Sequence, residues 1–159
     1  MQPPKNRILV VESHTDTQDL MLFFLEKGGY KVTPSGSCAE AYKLAQSELF
    51  DLYIIEGLLP DGNGFDLCRQ LRAFNSTVPI VFHSALAYET DKQLAYALGA
   101  QDYIVKPADP YEIEARVAKL LNQDTVQRIP QTTLGIAASL RCEDGQNGPI
   151  LQLNDEAAW

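Results

Sequence analysis

Four short apolar runs in this sequence each end on a residue that can do chemistry. Ile8-Leu9-Val10-Val11 runs into Glu12-Ser13, and Leu52-Tyr53-Ile54-Ile55 runs into Glu56. Ile80-Val81-Phe82-His83 runs into Ser84, and Tyr103-Ile104-Val105 into Lys106-Pro107. As successive strands of a parallel sheet, these runs bring two acids, a hydroxyl and a lysine into one crevice at their C-terminal ends. Such a set can pair internally or grip a cation. A carboxylate attacks a polyanionic phosphoryl group only when a cation neutralises the charge between them. Taken singly, each residue reads as an ordinary surface acid or loop lysine. Together, at the ends of four such runs, they read as a site.

The elements that must position these residues follow from periodicity. Apolar runs alternate with helix-like stretches, which implies right-handed crossovers, a parallel sheet and helices on both faces. Strands covered on both faces read as continuous apolar runs, as these do. A further strand around residues 31–33 makes five strands and five helices. Helix one is expected over Thr15–Lys27, stopping at Gly28-Gly29, and helix two over Cys38–Ser47. Thr15-Asp16-Thr17-Gln18 and Ser37-Cys38-Ala39-Glu40 both fit the capping-box pattern. Helix three follows Gly62-Asn63-Gly64 and buries Phe65, Cys68 and Leu71. Helix four is expected over 89–98, stopping at Gly99. Helix five starts at Asp109-Pro110, buries Ile113, Val117, Leu120 and Leu121, and ends near Asn122.

Composition narrows the class. The 159 residues suffice for one domain with some extra, and 45% hydrophobic with 21% charged residues describes a folded, soluble chain. A net charge of −8 without a basic cluster argues against a nucleic-acid surface. The apolar run after the first residues is too short for a signal peptide. No stretch approaches the roughly 18 apolar residues of a membrane helix. The three cysteines, Cys38, Cys68 and Cys142, have no metal-ligand spacing and read as reduced thiols, so a cytoplasmic location is expected. Residues 123–159 break the rhythm and read as a tail or linker. The turn signal Asp144-Gly145-Gln146-Asn147-Gly148-Pro149 between two apolar runs makes a β-hairpin the sharper alternative.

Glu12-Ser13, then Glu56 followed by Gly57-Leu58-Leu59-Pro60-Asp61-Gly62, then Ser84-Ala85 and Lys106-Pro107 resemble the receiver domain of two-component response regulators, the CheY-like family. The resemblance covers residues 7–122. It implies a doubly wound five-stranded parallel sheet in the flavodoxin-like order 2-1-3-4-5. Family members hold a magnesium ion between two acids after strand one and an aspartate after strand three, and that aspartate takes the phosphoryl group. By this resemblance Glu12 matches the first acid, Ser13 replaces the second, and Glu56 replaces the acceptor. Ser84 matches the hydroxyl that bonds the phosphoryl group, and Lys106 matches the lysine beside it. Tyr103 matches the aromatic switch, whose ring swings inward in the active state. The resemblance also implies a cis peptide before Pro107.

The two departures have consequences. A pocket of three acids and one lysine carries −2; Glu12, Glu56 and Lys106 carry −1. The extra methylene of Glu56 displaces its carboxylate by about 1.5 Å. Magnesium needs near-octahedral oxygen ligands, so Glu12 and Glu56 are expected to hold it weakly at best. No other cofactor is expected, and no phosphorylation at Glu56. Glu56 then either mimics a phosphorylated aspartate, holding Tyr103 inward, or pairs with Lys106 in a rigid module without a switch. The reading is an atypical receiver that relays signals by protein contact rather than as an enzyme, with a histidine kinase or another signalling protein as partner. The alternatives are an ordinary phosphorylatable regulator and the receiver portion of a winged-helix transcription factor. A flavin-binding chain of the same architecture lacks support, because no phosphate loop follows strand one. The resemblance places Lys92, Asp102, Glu112 and Arg116 on the face of helix four, strand five and helix five, through which a homodimer is expected. His14 and His83 flank the pocket; alternation along the strand points His83 away from the side of Ser84.

Overall fold

A computed structural model of the chain describes residues 5–127, with side chains described through Asn122. The elements are β1 (Arg7–Val11), α1 (Thr15–Lys27), β2 (Lys31–Ser35), α2 (Cys38–Ser47), β3 (Leu52–Ile55), β4 (Leu58–Leu59), β5 (Gly62–Asn63), α3 (Gly64–Phe74), β6 (Ile80–Ser84), α4 (Glu89–Ala97), β7 (Asp102–Val105) and α5 (Pro110–Gln127). Five strands form one parallel sheet in the order β2-β1-β3-β6-β7. With the two-residue hairpin β4–β5 set apart, this is the expected order 2-1-3-4-5. The hairpin expected within 123–159 lies outside the described residues.

Alternation along the strands divides the interior. Leu9, Val11, Tyr53, Ile55, Phe82 and Tyr103 face α2, α3 and α4 on one side. Ile8, Val10, Ile54, Val81 and Ile104 face α1 and α5 on the other. Each fully buried aliphatic or aromatic side chain contributes about 1.5–3 kcal/mol by leaving water. Tyr53, Phe82, Leu67 and Leu71 are buried essentially completely, so truncating any of them opens a cavity in this layer.

The helix termini show where local sequence is overruled. The capping box expected at Thr15 does not form: Thr15 is already helical, His14 occupies the N-cap, and no side chain caps it. The Ser37 hydroxyl does accept from the Glu40 N–H at 3.2 Å, but Glu40 turns to Gly36 N–H and Ser35 instead of closing a box. Asp61, from the turn between β4 and β5, supplies two further acceptors to the start of α2, at 2.8 Å to Cys38 N and 3.0 Å to Ala39 N. α5 continues to Gln127, past the expected end near Asn122, because no glycine or proline stops it there.

Two longer-range features fix the frame. Arg72 of α3 donates to the carbonyls of Val78 and Gly99 and to the side chain of Gln101, which ties α3 to the turn before β7. At the sheet edge, Lys31 N–H donates inward to Asn6 and Ser35 carbonyl accepts inward from Glu12. Alternation therefore aims the backbone of exposed Pro34 outward, away from its neighbour Val10.

Candidate functional site

The sheet delivers the four endings to one place. Glu12 follows β1, Glu56 follows β3, Ser84 closes β6 and Lys106 follows β7. Ladder bonds continue past the strand ends and hold their spacing: Glu56 N–H to Val11 carbonyl at 3.0 Å, and Lys106 N–H to Ser84 carbonyl at 2.9 Å. Two glycines allow the turn after β3. A Cβ on Gly64 would lie 2.3 Å from the Glu56 carbonyl oxygen, and one on Gly57 2.9 Å from the Ser84 hydroxyl. Only glycine lets the backbone approach so closely at these two points. The Lys106–Pro107 peptide is cis.

Lys106 is the hub. Its ammonium lies 2.6 Å from one Glu12 oxygen and 2.5 Å from one Glu56 oxygen. The second Glu12 oxygen accepts from His14 N–H at 3.0 Å. The second Glu56 oxygen accepts from Gly57 N–H at 2.5 Å and Leu58 N–H at 3.2 Å. Glu12 is 1% exposed and Glu56 6%, so both carboxylates sit out of bulk water. Burial by itself pushes the Glu56 carboxyl up. The hydrogen bonds from Lys106 and Ser84, with the charge of Lys106, outweigh it and hold the group below its ordinary 4.5. Burial likewise disfavours the Lys106 cation, yet its bonds to Glu12 and Glu56 raise it above 10.5. The result is a charged, mutually satisfied triad rather than a neutralised one.

Ser84 and Tyr103 complete the site. Ser84 is fully buried, lies near enough to Glu56 to help hold its carboxyl down, and accepts from Leu86 N–H at 3.2 Å. Tyr103 is turned inward, 5% exposed, and its hydroxyl donates to the Leu86 carbonyl at 2.6 Å. Its ring stacks on Phe82 at 5.7 Å, and Phe82 stacks on Phe65 at 5.0 Å. Phe65, Phe82 and Leu86 were not singled out for the site by sequence reasoning. Phe82 shares a face with Ser84 by alternation, which is a signal; the Leu86 carbonyl leaves none. Ser13 sits half-buried beside Glu12 and offers no carboxylate. Beside the triad an open hollow of about 610 Å³ is bordered by His14, Asp16, Thr17, Glu56 and Lys106. Among the described residues, no group of three or more His, Cys, Asp or Glu side chains is placed to hold a metal ion.

The charged face is only partly assembled within the chain. Arg116 of α5 donates to Asp102 at 2.9 Å and to Glu112 at 2.8 Å, so these three form one chain of ion pairs. Lys92 lies half-buried on α4. His83 is buried on the side of β6 opposite Ser84, beside α1 and α5, as alternation requires. No helix among the described residues is long and apolar enough to cross a membrane.

Comparison with known proteins agrees with this geometry. Residues 8–118 match the model of the response regulator receiver domain. The chain is 37% identical over 120 residues to the alkaline phosphatase synthesis transcriptional regulatory protein PhoP of Bacillus subtilis, covering 76% of this chain and 50% of that protein. It is 37% identical over 138 residues to a probable transcriptional regulatory protein of Picosynechococcus, covering 82% of this chain and 55% of the other. The chain thus spans about half the length of these relatives. Among solved structures, a CheY-like receiver domain protein from Methanospirillum hungatei superposes with a TM-score of 0.76 at 23% identity, covering 78% of this chain and 99% of that one. That likeness concerns the fold.

Proposed function

The chain belongs to the response regulator receiver family of two-component signalling systems, and we propose that it works there without a phosphoryl group on Glu56. Glu56 stands where the family carries its acceptor aspartate, and its carboxylate is already engaged. The observation that carries this reading is the convergence of Glu12 and Glu56 on one ammonium, with the remaining Glu56 oxygen taken by two backbone N–H groups. A nucleophile with both oxygens already engaged, and displaced by a methylene, is poorly set for in-line attack. Misplacement of about 1 Å costs on the order of a hundredfold in rate.

The donor set does not fit magnesium. That ion needs oxygen ligands at about 2.0–2.1 Å in near-octahedral order. The carboxylates of Glu12 and Glu56 are both spent on Lys106, Ser13 supplies no further one, and no group of three or more His, Cys, Asp or Glu among the described residues is placed to hold a metal ion.

Of the two consequences for signalling, the engaged one is supported better. Glu56 reaches Ser84, and Tyr103 is turned inward with its hydroxyl on Leu86. An inert module would leave Ser84 away from Glu56 and Tyr103 outward. Glu56 thus acts as a built-in, weaker stand-in for a phosphorylated aspartate, with one negative charge instead of nearly two. The domain presents a fixed partner face, in keeping with relatives named as transcriptional regulators. Its partners are a histidine kinase or another signalling protein, and a second copy through α4, β7 and α5.

The test is direct. The chain is incubated with a small phosphodonor and magnesium, and intact mass is measured. No added phosphoryl mass is expected. A stoichiometric adduct on Glu56 overturns the proposal in favour of an ordinary phosphorylatable regulator.

A further inference from the structure

The loop that follows Glu56 is fastened at both ends. At its near end, Gly57 N–H and Leu58 N–H donate to one Glu56 oxygen, at 2.5 Å and 3.2 Å. The chain then folds into the β4–β5 hairpin, where Leu58 pairs with Asn63 and Leu59 with Gly62. Gly64 N–H donates to the Gly57 carbonyl at 2.9 Å and closes the base. At the far end Asp61 reaches out of the hairpin to α2. One carboxylate oxygen accepts from Cys38 N–H at 2.8 Å and the other from Ala39 N–H at 3.0 Å. The Cys38 thiol donates back to the Asn63 carbonyl at 3.7 Å.

So short a ladder does not hold its own orientation. Leu59 anchors one side of it in the core, whereas Leu58 is 59% exposed and has little packing to fix it. The Leu58 N–H makes the longer of the two backbone bonds to Glu56, so a tilt of the hairpin breaks that bond first. We propose that Asp61 is a positioning residue for Glu56: by pinning the hairpin to the start of α2, it keeps the Leu58 N–H on the Glu56 carboxylate. Capping α2 is then only half of what Asp61 does, and the helix end is coupled to the acidic cleft. Burial pushes the Glu56 carboxyl up, and Lys106, Ser84 and the Leu58 N–H pull it back below 4.5. Release of the hairpin removes the last of these. The inference does not depend on whether Glu56 takes a phosphoryl group, since an adduct in the mass measurement leaves the readouts below as they stand.

The test uses Asp61→Ala and Asp61→Asn in the full chain, read by amide hydrogen exchange and by NMR titration of the Glu56 carboxyl carbon. Neither substitution alters the residues next to the Leu58 amide. In Asp61→Ala, exchange at Leu58 is expected to quicken about fivefold, the net worth of one hydrogen bond, together with exchange at Ala39. Glu56 is expected to titrate at higher pH. Loss of the negative charge of Asp61 alone moves Glu56 the other way, so the direction separates the two effects. Asp61→Asn keeps one acceptor oxygen and is expected to quicken Leu58 less. Faster exchange at Ala39 with Leu58 unchanged reduces Asp61 to a cap of α2 and overturns the proposal. So does a Glu56 titration in Asp61→Ala that stays in place or moves down. Where Asp61→Ala does not fold, an unaltered Leu58 exchange rate in Asp61→Asn overturns it equally.

Discussion

Replacing Lys106 by methionine keeps the apolar stem and deletes the ammonium that Glu12 and Glu56 share. Both carboxylates stay buried, at 1% and 6% exposure, without their cation. Removing one partner of a buried ion pair costs about 3–5 kcal/mol, because the remaining charge is left uncompensated. Two carboxylates are stranded here, although backbone N–H groups still hold each of them, so about 3–5 kcal/mol at pH 7 is the expected loss. That is a large part of the roughly 5–15 kcal/mol that holds a domain folded. The sign of its pH dependence follows from the two shifted groups. Glu56 is depressed below 4.5, so its stabilisation is complete above 4.5 and fades as pH falls through its folded value. Lys106 is raised above 10.5, so its stabilisation is complete below 10.5 and fades as pH rises through its folded value. The unaltered protein should therefore show a broad plateau between those limits. In Lys106→Met the stranded Glu56 carboxyl loses the cation that outweighs its burial, so the penalty grows as pH rises above 4.5 and shrinks below it. Urea unfolding followed by circular dichroism at about pH 7 and about pH 4 measures both effects. A loss under about 1 kcal/mol at pH 7, the size of an exposed pair, refutes the buried triad. A loss of the same size at both pH values refutes it too.

If Glu56 and Ser13 stand where the proposal puts them, Ser13→Asp and Glu56→Asp together should yield magnesium-dependent phosphorylation detectable by intact mass, whereas either change alone should yield little. Tyr103→Phe keeps the stack on Phe82 and removes the bond to the Leu86 carbonyl, so about 1 kcal/mol of stability should be lost in thermal unfolding. Arg116→Glu breaks the pairs to Asp102 and Glu112, each worth about 0–1 kcal/mol to the monomer, and should abolish the proposed self-association through this face in sedimentation analysis. A dimer unchanged by that reversal removes this face as the interface.

Much of the architecture was legible because the strands are buried on both faces and betray themselves as apolar runs. The order of strands came from resemblance, since periodicity carries no neighbour information. Glu12, Glu56, Ser84 and Lys106 could be named as a set because parallel strands end at one edge of the sheet. Their pairing could not: that Lys106 reaches both acids depends on side-chain directions and on Gly57 and Gly64 clearing space. At the box expected at Thr15, Gln18 donates instead to the Glu12 and Ser35 carbonyls, and α2 takes two acceptors from Asp61. Local patterns propose partners a few residues apart, and the folded chain offers better ones from far away. His83 shows the converse. Alternation correctly turned it from the acidic pocket, but only the packing of α1 against α5 could reveal what it lies beside.

Pro34 bears on how this molecule can meet its neighbours. With the ring nitrogen of Pro34 on the free border of β2, a foreign segment laid alongside finds no donor at the middle of that edge. Continuous hydrogen bonding to an incoming strand is interrupted there, which guards against fibril-like stacking. Association on that flank must then use side chains carried by helices and loops rather than an extension of the ladder.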